Sequence, residues 1–454
     1  MSSRPLLIIM ALTSFLIMPG GSLKASQVNS VADLLLRDEV DQAEALLDKQ
    51  PRTAETIAFR GEIEFRRGDF AKANSLYREA LQLDDKTARG HFGLGKLALA
   101  RLQGKAAVAE LKRAVELAPN EAIFHLYAAE AYGIEKNYTA QKTALQAYMK
   151  LNISDDPDRA AEARAALEML NALGGKDIGV AHAPENPKPI PFQTNLNLIF
   201  AQVMIDGKGP FRFVVDTGAT QVVVSEKLAA NLALKPITTT IMHGVGGGGR
   251  VESKLFGVKE FAIGDVKVTN LPVGTFNDPL VAQLADGILG TAILADFVTT
   301  INYPDHQIEL SKKAPAVTAT SESLQAWYFS NLLLVPIEVN GKFHGNFVVD
   351  TGAVATVLSH SMAAKLGVTE KTPGAKVEMG VAGVGGMEGL VLRVEDVTFT
   401  TTKNSEAFPQ VVSIDLKQIS KMIGTEVSGV LGFDFLEGYK VMLNYSNGEI
   451  RLIK

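Results

Sequence analysis

Two short stretches carry the side chains best suited to chemistry. Phe213-Val214-Val215-Asp216-Thr217-Gly218-Ala219 recurs as Phe347-Val348-Val349-Asp350-Thr351-Gly352-Ala353, displaced by 134 residues. In each, an apolar run of strand-forming residues delivers one carboxylate, Asp216 or Asp350, to the mouth of a buried strand, followed by a hydroxyl and a glycine. The composition leaves chemistry to such oxygen groups. There is no cysteine, which excludes thiolate zinc sites, iron–sulfur clusters, disulfides and cysteine nucleophiles. The 7 histidines are scattered, with no His-Glu-x-x-His; His243, His344 and His360 lie near the motifs without ligand spacing and read as solvated. Neither a Gly-x-Ser-x-Gly elbow nor a P-loop is present. The reading calls for no metal and no cofactor.

The elements that must position these residues form a β region that occurs twice. Short Val/Ile/Phe/Thr runs separated by Gly, Asn and Asp read as strands and turns. Asn197 to Leu232 is similar to Asn331 to Leu366: Gly207 matches Gly341, and Ser225, Ala229 and Ala230 match Ser359, Ala363 and Ala364. Further on, Gly287-Ile288-Leu289-Gly290 recurs as Gly429-Val430-Leu431-Gly432, and Asn302-Tyr303 as Asn444-Tyr445, both displaced by 142. The second copy therefore holds eight extra residues between its matching ends. The spacing sets a first lobe at 192–312, a linker at 313–324 and a second lobe at 325–454. Glycine-rich segments, His243 to Gly249 and Gly380 to Gly389, follow the two Asp triplets. The first matches the dinucleotide fingerprint formally, but no βαβ unit follows it and the match is discounted.

On these residues the chain resembles the aspartic peptidases, in particular their bacterial retropepsin-like branch. The likeness rests on the two Asp-Thr-Gly motifs and on Asp286-Gly287-Ile288-Leu289-Gly290, and covers about Asn195 to Lys454. It implies a fold of two β lobes about a two-fold axis, each giving one catalytic carboxylate, Asp216 and Asp350. It further implies that the hydroxyls of Thr217 and Thr351 bond across the axis. Gly218 and Gly352 let the backbone pass close to the carboxylates. Two carboxyls about 3 Å apart share one proton, so one member activates a water while the other hydrogen-bonds the scissile carbonyl. By the same resemblance the glycine-rich segments are flap tips that close on substrate, with Gly246, Gly247, Gly385, Gly386 and Met387 against the bound chain. Ala219 and Ala353 stand where pepsin-type lobes have Ser or Thr. Losing that donor to each carboxylate predicts a pH optimum less acid than that of gastric enzymes, about 5 to 6.

The remainder of the chain reads as an export leader, a helical array and a linker. Arg4 precedes an apolar run from Pro5 to Met18, which is too short for a bilayer span of about 20 residues. With Pro19-Gly20-Gly21 after it, the run fits a secretory signal, 1–25, cut after Ala25, and an exported protein, periplasmic or secreted. No stable membrane span remains once the leader is cut. From 28 to 172 Ala, Leu, Glu, Lys and Arg recur at helical spacing with a 34-residue period: Gly61 and Gly95, Ala73 and Ala107, Ala80 and Ala114. The period resembles the tetratricopeptide repeat, which implies a concave face for a protein or peptide partner. Its Lys/Arg and Glu runs read as solvated helix faces. Residues 173–191, with Pro184, Pro187, Pro189 and Pro191, read as an extended linker.

The fold class expected is multidomain: an all-α repeat array followed by all-β duplicated aspartic-peptidase lobes. The function expected is an exported endopeptidase acting on peptide or protein substrates. The alternative is a non-catalytic peptide-binding or assembly protein on a retained peptidase fold. A net charge of −5 at pH 7 argues against nucleic acid as a partner.

Overall fold

The structure is a computed structural model that describes residues 6–8, 30–151, 157–174, 177–243, 250–329, 332–377, 380–383, 386–387 and 390–454. It divides into two compact units, a helical one (to Leu170, joined by Ser420–Glu426) and a β-rich one holding most of the remainder.

The helical unit runs as α1 (Val31–Leu36), α2 (Val40–Leu47), α3 (Ala54–Arg66), α4 (Phe70–Leu83), α5 (Ala88–Leu99), α6 (Gly104–Leu117), α7 (Ala122–Ile134), α8 (Tyr138–Leu151) and α9 (Pro157–Ala172). Local signals start these helices. Thr53 and Thr56 form a capping box at α3, and the Asp69 carboxylate accepts from Lys72 N at the head of α4. The 34-residue period is a packing period. A side chain on Gly61 would collide with the Tyr77 ring of α4, and one on Gly95 with Leu111 of α6. Tyr77 and Leu111 are themselves one period apart, so each glycine of one helix receives the bulky residue of its partner. Ala73, Ala80, Ala107 and Ala114 are fully buried in the same seams, where only a small side chain lets helices approach.

The array departs from expectation in its charges. Glu62 and Lys96, one period apart, are buried rather than solvated, with Lys96 Nζ donating to both Glu62 oxygens at 2.8 Å. Tyr77 Oη donates to Glu62 at 3.2 Å, and the Phe65 ring lies 3.8 Å from the Lys96 ammonium. Burial opposes the charge on Glu62, yet Lys96 and Arg66 prevail and hold it down at about 2. Burial pulls Lys96 down to about 8, with Glu62 opposing.

In the β-rich unit the two copies fold alike. In the first, adjacent strands run Val222–Ser225, Gly287–Leu289, Lys208–Val215, Leu198–Ile205; in the second, Val357–Ser359, Gly429–Leu431, Phe343–Val349, Leu332–Val339. Fully buried Val, Ile, Leu and Phe fill both faces of the central strands. A third sheet is shared between copies. Its six strands run Ser321–Gln325, Glu449–Ile453, Lys440–Asn444, Val298–Asn302, Gln307–Ser311, Ile190–Pro191. Val298–Asn302 of the first lobe pairs antiparallel with Lys440–Asn444 of the second, so the lobes are joined by a continuous ladder. Parts of both sequence linkers enter sheets: Val180–His182 pairs with Lys267–Thr269, Ile190–Pro191 with Gln307–Ile308, and Ser321–Gln325 with the C-terminal strand. Most of the expected leader lies outside the described residues; Leu6–Ile8 is a short strand parallel to Gly380–Ala382.

Candidate active site: a cross-lobe pair of carboxyls

Each aspartate follows a buried strand that is wedged between two neighbours. Phe213–Val215 runs parallel to Gly287–Leu289, and Phe347–Val349 parallel to Gly429–Leu431. The pairing continues into the loops, where Asp216 N donates to Leu289 O at 3.0 Å and Asp350 N to Leu431 O at 3.1 Å. The duplicated Gly-apolar-apolar-Gly motif explains itself here. A side chain at Gly287 or Gly429 would strike the ring of Phe213 or Phe347, and one at Gly290 or Gly432 the backbone of the neighbouring Asp loop.

Four hydrogen bonds hold the two loops in register across the lobes. Thr217 Oγ1 donates to Val349 O and Thr351 Oγ1 to Val215 O, both at 2.8 Å. Each hydroxyl in turn accepts from the other loop: Thr351 N donates to Thr217 Oγ1 at 3.0 Å, and Thr217 N to Thr351 Oγ1 at 3.1 Å. All four groups are buried, where such bonds are strongest and their loss is most costly. Asn197 adds a fifth link, its Nδ2 donating to Val354 O at 3.2 Å.

This clamp brings Asp216 and Asp350 together, both fully buried. Gly218 lies against the Asp350 carboxyl and Gly352 against that of Asp216; a Cβ at Gly218 would sit 2.5 Å from Asp350 Cγ. In each carboxyl one oxygen is occupied locally: Gly218 N donates to Asp216 Oδ1 at 2.8 Å and Gly352 N to Asp350 Oδ1 at 2.7 Å. Both Oδ2 atoms are buried, with no hydrogen-bond donor on them among the described residues. Burial, then the charge of Asp350, pushes the Asp216 carboxyl well above the ordinary range. Burial raises Asp350 too, with its neighbour Asp216 and the loop N–H groups opposing. Two acids so placed share a proton, and their titration belongs to the pair.

The expected flap residues are only partly described. Gly246, Gly247 and Gly385 lie outside the described residues. Thr238–His243 and Arg250–Ile263 are the paired arms that flank the first segment, and in the second Ala382 pairs with Met387 and Gly383 with Gly386. His360, read as solvated, is half-buried, with Nδ1 2.7 Å from Ser413 Oγ. Among the described residues no group of three or more His, Asp or Glu side chains is arranged to hold a metal, and no helix is long and apolar enough to cross a membrane.

The loop supports were harder to see in sequence because the copies solve them differently. In the first lobe Thr291 holds Ala219 O twice, through N at 2.8 Å and Oγ1 at 3.0 Å. In the second, Phe433 takes the corresponding place and donates only its N–H to Ala353 O, at 2.8 Å. Asp434 compensates by accepting from Thr356 N and Oγ1.

The two Asp-loop lobes match the fold of aspartyl protease lobes. The aspartyl protease family matches residues 201–293 and 335–435, one segment in each lobe and each containing its Asp-Thr-Gly. The β-rich unit thus carries an aspartyl protease domain in two segments, preceded by a region of packed helix pairs. Comparison with curated proteins gave no match.

Proposed function

We propose that the chain is an exported aspartic endopeptidase whose catalytic residues are Asp216 and Asp350. The observation that carries this is the meeting of two fully buried carboxyls, one from each lobe, with both Oδ2 atoms unengaged by any described residue. With one proton between them, the ionised member takes a proton from a water as its oxygen adds to the peptide carbonyl carbon. The protonated member gives its proton to the carbonyl oxygen as charge builds there. The resulting diol collapses with proton transfer to the amide nitrogen, the C–N bond breaks, and an acid and an amine leave. The substrate of this reading is an extended peptide bound between the lobes, since strand edges read backbone and alternate side chains. The helix pairs are of tetratricopeptide type and hold a protein or peptide partner, and the leader is cut after Ala25.

The decisive measurement is cleavage of denatured casein from pH 3 to 8, with and without a hydroxyl-containing peptide that mimics the diol. Activity should peak at about pH 5 to 6, because neither carboxyl receives a side-chain hydroxyl at Ala219 or Ala353 and burial raises both. Asp216→Asn and Asp350→Asn should each lower kcat at least about 10³-fold. A folded wild type that binds the mimic but cleaves nothing would leave only peptide binding; full activity in either variant would remove the shared-proton mechanism.

A further inference from the structure

The Asn-Tyr pair that recurs near the end of each copy has no part in the mechanism above. In both places the asparagine caps a turn: Asn302 bonds Asp305, and Asn444 Oδ1 accepts from Ser446. The tyrosines are then carried inward. Tyr303 and Tyr445 are 4% and 2% exposed, and both hydroxyls lack a hydrogen-bond partner among the described residues. A buried phenol without a partner is unfavourable, so the ring must contribute what the hydroxyl does not.

One contact distinguishes the two rings. Tyr303, on the first lobe, stands edge-on to Phe433 of the second, with centroids 5.5 Å apart and planes at 83°. Phe433 donates its N–H to Ala353 O, and Ala353 N reaches back to Asp350 O, so Phe433 rests on the Asp350 loop. Burial raises the Tyr303 hydroxyl above its ordinary range, and the charge of Asp350 adds to this. Each ring also meets one aromatic at the start of its own copy, Tyr303 against Phe192 and Tyr445 against Tyr328, both at 6.1 Å. The difference accompanies one substitution between copies: Thr291 ties down the Asp216 loop with its own hydroxyl, whereas its counterpart Phe433 has no hydroxyl and packs against the Tyr303 ring.

We propose that Tyr303 is a positioning residue, a first-lobe ring that holds Phe433, and through it the Asp350 loop, in the geometry that faces Asp216. The inference rests on the peptidase reading of the same pair. Its test compares Tyr303→Leu, Tyr303→Phe and Tyr445→Leu in the full chain. Tyr303→Leu should lower kcat about tenfold with KM within about twofold, since alignment of the dyad and not substrate affinity is lost. Tyr303→Phe keeps the ring and should restore kcat. Tyr445→Leu, equally buried, should lower Tm and leave kcat alone. A second readout needs no turnover: the infrared carbonyl band of the protonated dyad, assigned by its change in Asp216→Asn and Asp350→Asn. That band should shift in Tyr303→Leu and not in Tyr445→Leu. If the wild type proves inactive the peptidase reading fails while the band still decides the positioning. An unshifted band, or equal effects of Tyr303→Leu and Tyr445→Leu, overturns it.

Discussion

Asp216 and Asp350 ionise against the fold, because folding removes both from solvent and sets them side by side. The direction of linkage follows. Both carboxyls have folded values above the ordinary 3.8, so between 3.8 and the raised values the folded chain binds more protons than the unfolded one. Their contribution to stability is full below 3.8 and is lost as pH rises through the folded values. The neutral isostere should reverse that loss. Asp216→Asn or Asp350→Asn is expected to raise Tm by at least about 2 °C at pH 7 and by much less at pH 3, while abolishing cleavage. Calorimetry at the two pH values checks this, and an equal shift at both would show that charge burial is not the cause. These residues were legible because strand, acid, hydroxyl and glycine are all needed in one order. Tyr303 was not, because the sequence shows its repetition and hides which ring it meets.

At the level of elements, helices and loops alike are held by pairs that span a fixed interval of sequence. In the array, Glu62 on α3 and Lys96 on α5 stitch neighbouring helix pairs through a buried ion pair. Such a pair adds little over a well-packed apolar one, but removing one member strands the other's charge. Lys96→Ala should destabilise by about 3–5 kcal/mol, and the double change Glu62→Leu, Lys96→Met should recover most of it. Denaturant titration followed by helical circular dichroism separates the cases. Glu62 also predicts acid sensitivity. Its folded value of about 2 against an ordinary 4.5 gives stability present above 4.5 and lost as pH falls toward 2. The 34-residue period was readable because small residues must recur where Tyr77 and Leu111 insert. The buried charges were not, since a Glu or Lys at helical spacing looks alike on a wet face and in a seam. In the Asp loops the Thr217 and Thr351 hydroxyls join elements of opposite lobes in the same manner, so Thr217→Val and Thr351→Val should each cost about 1–3 kcal/mol and add less than independently, being one network.

For the lobes together, the shared six-stranded sheet decides how many chains a site needs. Duplication was plain in the sequence, from the offset of 134 growing to 142, but the joining of the copies was not. Segments that read as linkers because of prolines, or of Ala, Thr and Ser, contribute edge strands, where a proline leaves no ladder bond unmade that solvent cannot satisfy. Within one chain, Val298–Asn302 pairs along its whole length with Lys440–Asn444, and the Thr hydroxyls close the loops above it. Exchange of lobes between chains would have to break this ladder and its buried bonds before remaking them. A single chain should therefore hold a complete site. Cleavage rate per chain is expected to stay constant on dilution from micromolar to nanomolar, and mixing an excess of inactive Asp216→Asn chains with Asp350→Asn chains should restore no activity. A rate that falls with the square of concentration, or activity appearing in that mixture, would show that lobes from different chains complete the pair.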